Sequence, residues 1–436
     1  MGLPSVLATV FVSSSQDITN QHDGRYSPDS EVRAKGPTYT TRAKKLLHDN
    51  FENICLENVQ ACILLGNICY DDDLADVESL YFVLAVRMAQ LLRLAVTNDA
   101  DDGVTRETKV RVWWSCFVID TWASGGLNLS RQFKMKIKRP RVPMEENMFY
   151  ALRQGDADAD VLQWRPGFWG HMVRMVEIYT QIQDFHKYLA DADVWDEDFI
   201  LLTVQDLEAQ LTLFEQSIEP GMRFSLDNLK AYIHQGLGGI FIAFNLGLHH
   251  YWTLLFYLYL DHRRPPTTNG RAYASRCKQH ATIVCDILRA SREHETAEAL
   301  YNIVGHVTVV SSSVLLHTYL FGEPEELPDA KHRLESNFES LVQLRKYWAS
   351  IEFMINRLVI FQNNCLRSLN RNTHRFDRWM VKFLLEHGLA LEEKEEDADN
   401  LPMDMGNSTV YGSLQCERGR VTHGIIMELQ NGDYSS

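Results

Sequence analysis

Residues 43–69, AKKLLHDNFENICLENVQACILLGNIC, and residues 76–96, DVESLYFVLAVRMAQLLRLAV, repeat apolar side chains at steps of three and four. That is the period of a helix with one buried face. Asp71, Asp72 and Asp73 part the two runs. Acids suit the start of the second helix, where the backbone dipole leaves partial positive charge. A third helical pattern, 106–122 (RETKVRVWWSCFVIDTW), follows the loop NDADDG. Working outward, further helices are expected near 168–190, 197–218, 227–260, 271–294, 296–321 and 331–369, divided by EPG, RRPP and GEPEELPD. Alternating β-branched runs joined by hairpin turns do not occur. The chain reads as an all-α, multi-helix bundle.

The ends read differently. Residues 1–12 are apolar but lack the basic start of a signal peptide, so a core helix or strand is expected there. Residues 13–40 are polar, with Gly and Pro breaks, and read as an exposed loop. Residues 1–390 then form the folded part. From Leu391 a run of acids (EEKEEDADN) opens a stretch without strong periodicity, so 391–436 reads as a mostly disordered acidic tail.

Over 436 residues the chain is 45% hydrophobic and 23% charged, with a net charge of −15. Those are globular values, and the length can bury a large core. The acidity argues against a surface devoted to nucleic acid, because phosphate binding needs clustered Lys and Arg. None of the eight cysteines forms the two-apart pair of a zinc finger, so no zinc is expected in this chain. Cys55, Cys62 and Cys69 recur every seven residues and read as buried thiols on one helical face. Residues 231–260 carry no charged side chain and are long enough to span a bilayer, but Gln235, Asn245, His249 and His250 favour a buried core helix and no membrane.

Three segments together, ENVQACILLGNICY (57–70), YFVLAVRMAQLLRLAV (81–96) and KVRVWWSCFVIDTW (109–122), resemble the fungal-specific transcription factor domain, the regulatory middle region of fungal binuclear zinc-cluster transcription factors. The matching residues are Arg87 and Met88 in the Ala-x-Arg-Met-Ala motif, and Arg111, Trp113, Trp114 and Asp120 in the tryptophan helix. NLGLHHYWTLLFYLYLDHRRP (245–265) resembles a later helix of the family. The sequence departs from the pattern in carrying Thr121 after the Asp and GLNLSRQ where Gly-Arg-Pro is common. It also holds no six-cysteine DNA-binding cluster, so the resemblance implies a diverged or shortened member. The implied function is transcription regulation in the nucleus, without enzymatic activity. Implied partners are other transcription regulators or a homologous copy, with DNA reached only indirectly or through a missing segment, and a small-molecule effector in a helix-lined pocket.

The residues themselves allow a plainer account. Val112, Trp113, Phe117 and Trp122 can share one broad face, and a buried Asp120 needs a partner, either an indole N–H, Arg87 or Arg111. The segment 131–141, RQFKMKIKRPR, reads as a solvated basic loop or as a nuclear import or phosphate-facing patch centred on Lys136, Lys138, Arg139 and Arg141. Asp72, Asp73 and Asp76 spell the D-D-x-x-D pattern with which all-α terpenoid synthases hold Mg²⁺ against a diphosphate, the alternative enzymatic reading. No second metal motif accompanies it. His249 and His250 point about 100° apart on a helix and so read as core histidines rather than metal ligands.

Overall fold

The computed structural model describes residues 31–71, 75–133, 139–157, 164–261, 264, 267–369, 376–394, 418, 420–421 and 424. Among the described residues the chain is all-α, with fourteen α-helices and no strand. An isolated bridge joins Met144 and Pro166. The expected apolar element at 1–12, most of the 13–40 loop and most of the acidic tail lie outside the described residues.

The chain divides into two compact units, Met1–Glu177 and Ile178–Ser436. In the first, α1 (Glu31–Asp49) packs on α2 (Leu56–Asp71), α2 packs most extensively on α3 (Ala75–Leu91), and both meet α4 (Gly103–Gly126). A short α5 (Glu146–Ala151) follows, and the unit boundary falls within α6 (Phe168–Asp191). Val59, Cys62 and Leu65 of α2, Ala85, Val86 and Ala89 of α3, and Val110, Trp113 and Trp114 of α4 belong to one apolar core. Gly66 allows the close approach of α2 and α3, since a Cβ there would stand 2.3 Å from the ring of Phe82.

Two expectations are corrected here. The run at 43–69 is two helices, broken at 50–55, so Cys55 precedes α2 and stays half-buried while Cys62 and Cys69 are buried within it. The seven-residue spacing therefore does not place three thiols on one helical face. Residues 31–40 are helical rather than looped.

The second unit holds α7 (Glu197–Ser217), α8 (Leu226–His234), α9 (Gly238–Phe256), α10 (Gly270–Glu293), α11 (Ile303–Phe321), α12 (Leu327–Arg345), α13 (Ile351–Leu369) and α14 (Arg378–Leu385). α11 touches α9, α10, α12 and α13. By length and composition it could cross a membrane, but its side chains are almost all buried by these neighbours, the position of a core helix. The expected helix at 227–260 breaks at Gly236, whose φ of +72° suits a residue without a side chain. The expected helix at 331–369 breaks at 346–350, and the one at 296–321 begins only at Ile303. The sequence patterns missed α14, which Asp377 caps by accepting the N–H of Met380 at 3.0 Å.

Candidate functional site

α4 carries most of the motif residues, and its own start is well specified. The Asp102 side chain accepts the N–H of Thr105 and that of Gly155, each at 2.8 Å. These bonds, Thr105 foremost, hold its carboxyl down at about 2.

About three helical turns beyond this cap, Trp113 and Trp114 are both buried and meet edge to face, their ring centroids 4.6 Å apart at 85°. Phe133, from the segment that leaves α4, abuts Trp113 in the same manner at 5.0 Å. Aromatic pairs in this arrangement each contribute about 0.5–1.5 kcal/mol beyond the area they bury. The indole N–H of Trp114 donates to the carbonyl of Arg141 at 2.8 Å.

Two buried acids clip the same returning segment at either end. Asp120 accepts the backbone N–H of Gln132 at 2.8 Å and of Phe133 at 2.9 Å, with the Ser124 hydroxyl at 3.3 Å. Glu107 is fully buried and accepts the N–H of Met144 at 2.9 Å, the Arg111 Nε at 3.0 Å and an Arg141 Nη at 3.3 Å. Arg111 also donates to the carbonyl of Met144 at 2.8 Å and lies 4.3 Å over the Phe149 ring. Burial raises the pKa of both acids and outweighs the hydrogen bonds and cations that pull them down. The segment after α4 is thus sewn to it at Gln132–Phe133, Arg141 and Met144.

The expected partner of Asp120 is corrected: its carboxylate is met by backbone amides and a hydroxyl rather than by an indole, Arg87 or Arg111. Met88 is buried in the core. Arg87 is exposed and donates to Gln90 at 3.1 Å. In the basic patch, Lys136 and Lys138 lie outside the described residues, while Arg139 pairs with Glu177 and Arg141 with Glu107. Asp72 and Asp73 also lie outside, and Asp76 stands exposed in the first turn of α3. Among the described residues no group of three His, Cys, Asp or Glu side chains is placed to hold a metal ion. His249 and His250 diverge as expected, His249 toward His280 (Nδ1 to Nδ1 2.9 Å) and His250 edge-on to His306, with centroids 5.6 Å apart. Glu107 escaped the sequence reading although its position four residues before Arg111 is a signal for a helical ion pair.

This geometry consumes the polar groups of the tryptophan helix internally. A shallow groove of about 380 Å³ opens beside α4, lined by residues that include Arg93, Asn98 and Lys109.

The comparisons agree on the family. The profile of the fungal specific transcription factor domain matches residues 4–182, a span that ends close to the boundary between the two units. An uncharacterized transcriptional regulatory protein of Schizosaccharomyces pombe is 22% identical over 359 residues, covering 71% of this chain and 43% of the relative. A Zn(2)-C6 fungal-type transcription factor of Fusarium oxysporum f. sp. lycopersici is 19% identical over 343 residues, covering 70% of this chain and 31% of the relative. The chain therefore spans less than half the length of the curated relatives it matches. No solved structure matches. Over residues 4–182 the chain is similar to the fungal specific transcription factor domain.

Proposed function

We infer that this chain regulates transcription in the nucleus by contact rather than by catalysis, its helical domain holding other regulators or a second copy of itself. The observation that carries this reading is the lattice on α4. Glu107, Trp114 and Asp120, three buried polar groups of the motif helix, are each spent on fastening the following segment, as a scaffold requires. The relatives named as a transcriptional regulatory protein and as fungal-type transcription factors support the same reading. It gives the eight cysteines no zinc to hold, and DNA is reached through a partner or another segment. The alternative, a Mg²⁺-dependent prenyl cyclase, finds no favour in the geometry of Asp76 or in the comparisons.

Fusing the chain to a heterologous DNA-binding domain tests the reading. Expression of a reporter carrying the cognate sites should change severalfold, in either direction, and Trp114→Ala should remove the effect. An unaltered reporter, together with diphosphate release when the purified chain meets prenyl diphosphates and Mg²⁺, would replace this reading with the enzymatic one.

A further inference from the structure

The solvent side of α3 does not look like the solvent side of an ordinary surface helix, which is polar. Its inner side supplies Phe82, Ala85, Val86, Met88 and Ala89 to the core. Its outer side carries Asp76, Leu80, Val83 and Arg87, ahead of an exposed Leu91 at the helix end, with Leu80 63% and Val83 38% exposed. The steps between these four are four, three and four, the spacing of a coiled-coil seam, and they fall within about 60° of arc over about 16 Å of helix.

The order of the stripe is acid, apolar, apolar, base. A parallel pairing of two such stripes would set Asp76 on Asp76 and Arg87 on Arg87. An antiparallel two-fold pairing centred between Tyr81 and Phe82 instead sets Asp76 opposite the second copy's Arg87 twice, and Leu80 opposite the second copy's Val83 twice. That is the self-complementarity a two-fold interface demands. We propose that this stripe of α3 is a homodimerisation seam. The proposal rests on the contact function inferred above and names the partner and the surface. Two short apolar contacts flanked by two ion pairs make an interface at the small end, so the association is weak and reversible.

Sedimentation equilibrium of the full chain, from about 1 to about 100 μM at low salt, reads the seam directly. The expected result is self-association that Arg87→Asp or Asp76→Arg each weakens by about tenfold or more and that the double charge swap restores. Both positions are exposed, so circular dichroism should be unchanged in all three variants, with a small drop in melting temperature only where Asp76→Arg puts a cation in the first turn of α3. A chain that stays monomeric, or a dimer indifferent to the single charge reversals, overturns the seam, and a different polypeptide on the stripe is then the occupant. Neither outcome alters the reporter measurement, which tests the contact function separately.

Discussion

The carboxylate of Asp120 sits at the end of the two backbone amides of Gln132 and Phe133, taking the Phe133 N–H at 2.9 Å. A buried acid on one helix turn thereby sets the path of a segment twelve residues further on. Both main-chain N–H groups reach Oδ2, and the Gln132 N–H also reaches Oδ1 at 3.0 Å, beside the Ser124 hydroxyl. Asp120→Asn keeps at most one acceptor oxygen and loses the charge, and should cost about 1–3 kcal/mol, seen as a lower melting temperature and faster hydrogen exchange at Gln132 and Phe133. Unchanged exchange at both amides would contradict the clip.

Trp114 joins the same segment through its indole and also fills core volume. Trp114→Phe keeps most of the apolar burial and removes the hydrogen bond to Arg141, so about 1 kcal/mol should be lost, whereas Trp114→Ala should lose about 3–5 kcal/mol. Denaturant titration separates the two. Equal losses would mean that the hydrogen bond, rather than the ring, dominates.

Glu78 is buried on α3, and burial pushes its carboxyl up to about 8. The folded state then holds a proton that the unfolded chain releases near 4.5, so this contribution is present below that pH and fades as pH rises toward 8. Glu78→Gln should leave stability at pH 5 nearly unchanged and raise it on the order of 1–3 kcal/mol at pH 8.5. A variant equally stable relative to the parent at both pH values would show that the carboxyl is solvated.

The second unit should behave oppositely. Burial lowers His186 and His249 to about 4 and His250 to about 3. The unfolded chain takes up those protons below about 6.5 while the folded unit resists, so stability is full above that pH and falls as pH drops toward 4. Melting followed from pH 7.5 to pH 4 should show a drop of several degrees. Replacing His249 with Gln should flatten part of it.

The basic segment gives a test that divides import from folding. Arg141 is held by Glu107, so Arg141→Ala should lower stability by about 1–2 kcal/mol. Lys136→Ala with Lys138→Ala should instead leave the melt alone and shift a fluorescent fusion from nucleus to cytoplasm. A fusion still nuclear after both lysines are removed would assign import elsewhere.

The sequence by itself determined the all-α class, the extents of α6, α7 and α10 within a few residues, and the resemblance over the first helices, because a 3.6-residue apolar period and a tryptophan pair are local signals. It also placed the divergence of His249 and His250, which follows from helix geometry alone. What it could not reach were the breaks. Residues 50–55, Gly236 and 346–350 interrupt runs whose apolar spacing continues across them, because what ends a helix there is the turn that lets the next one pack back. Nor could it assign Asp120 to Gln132 and Phe133 or Glu107 to Met144. Those donors are backbone groups, present at nearly every position, and only the tertiary path of the chain decides which of them meets a buried carboxylate.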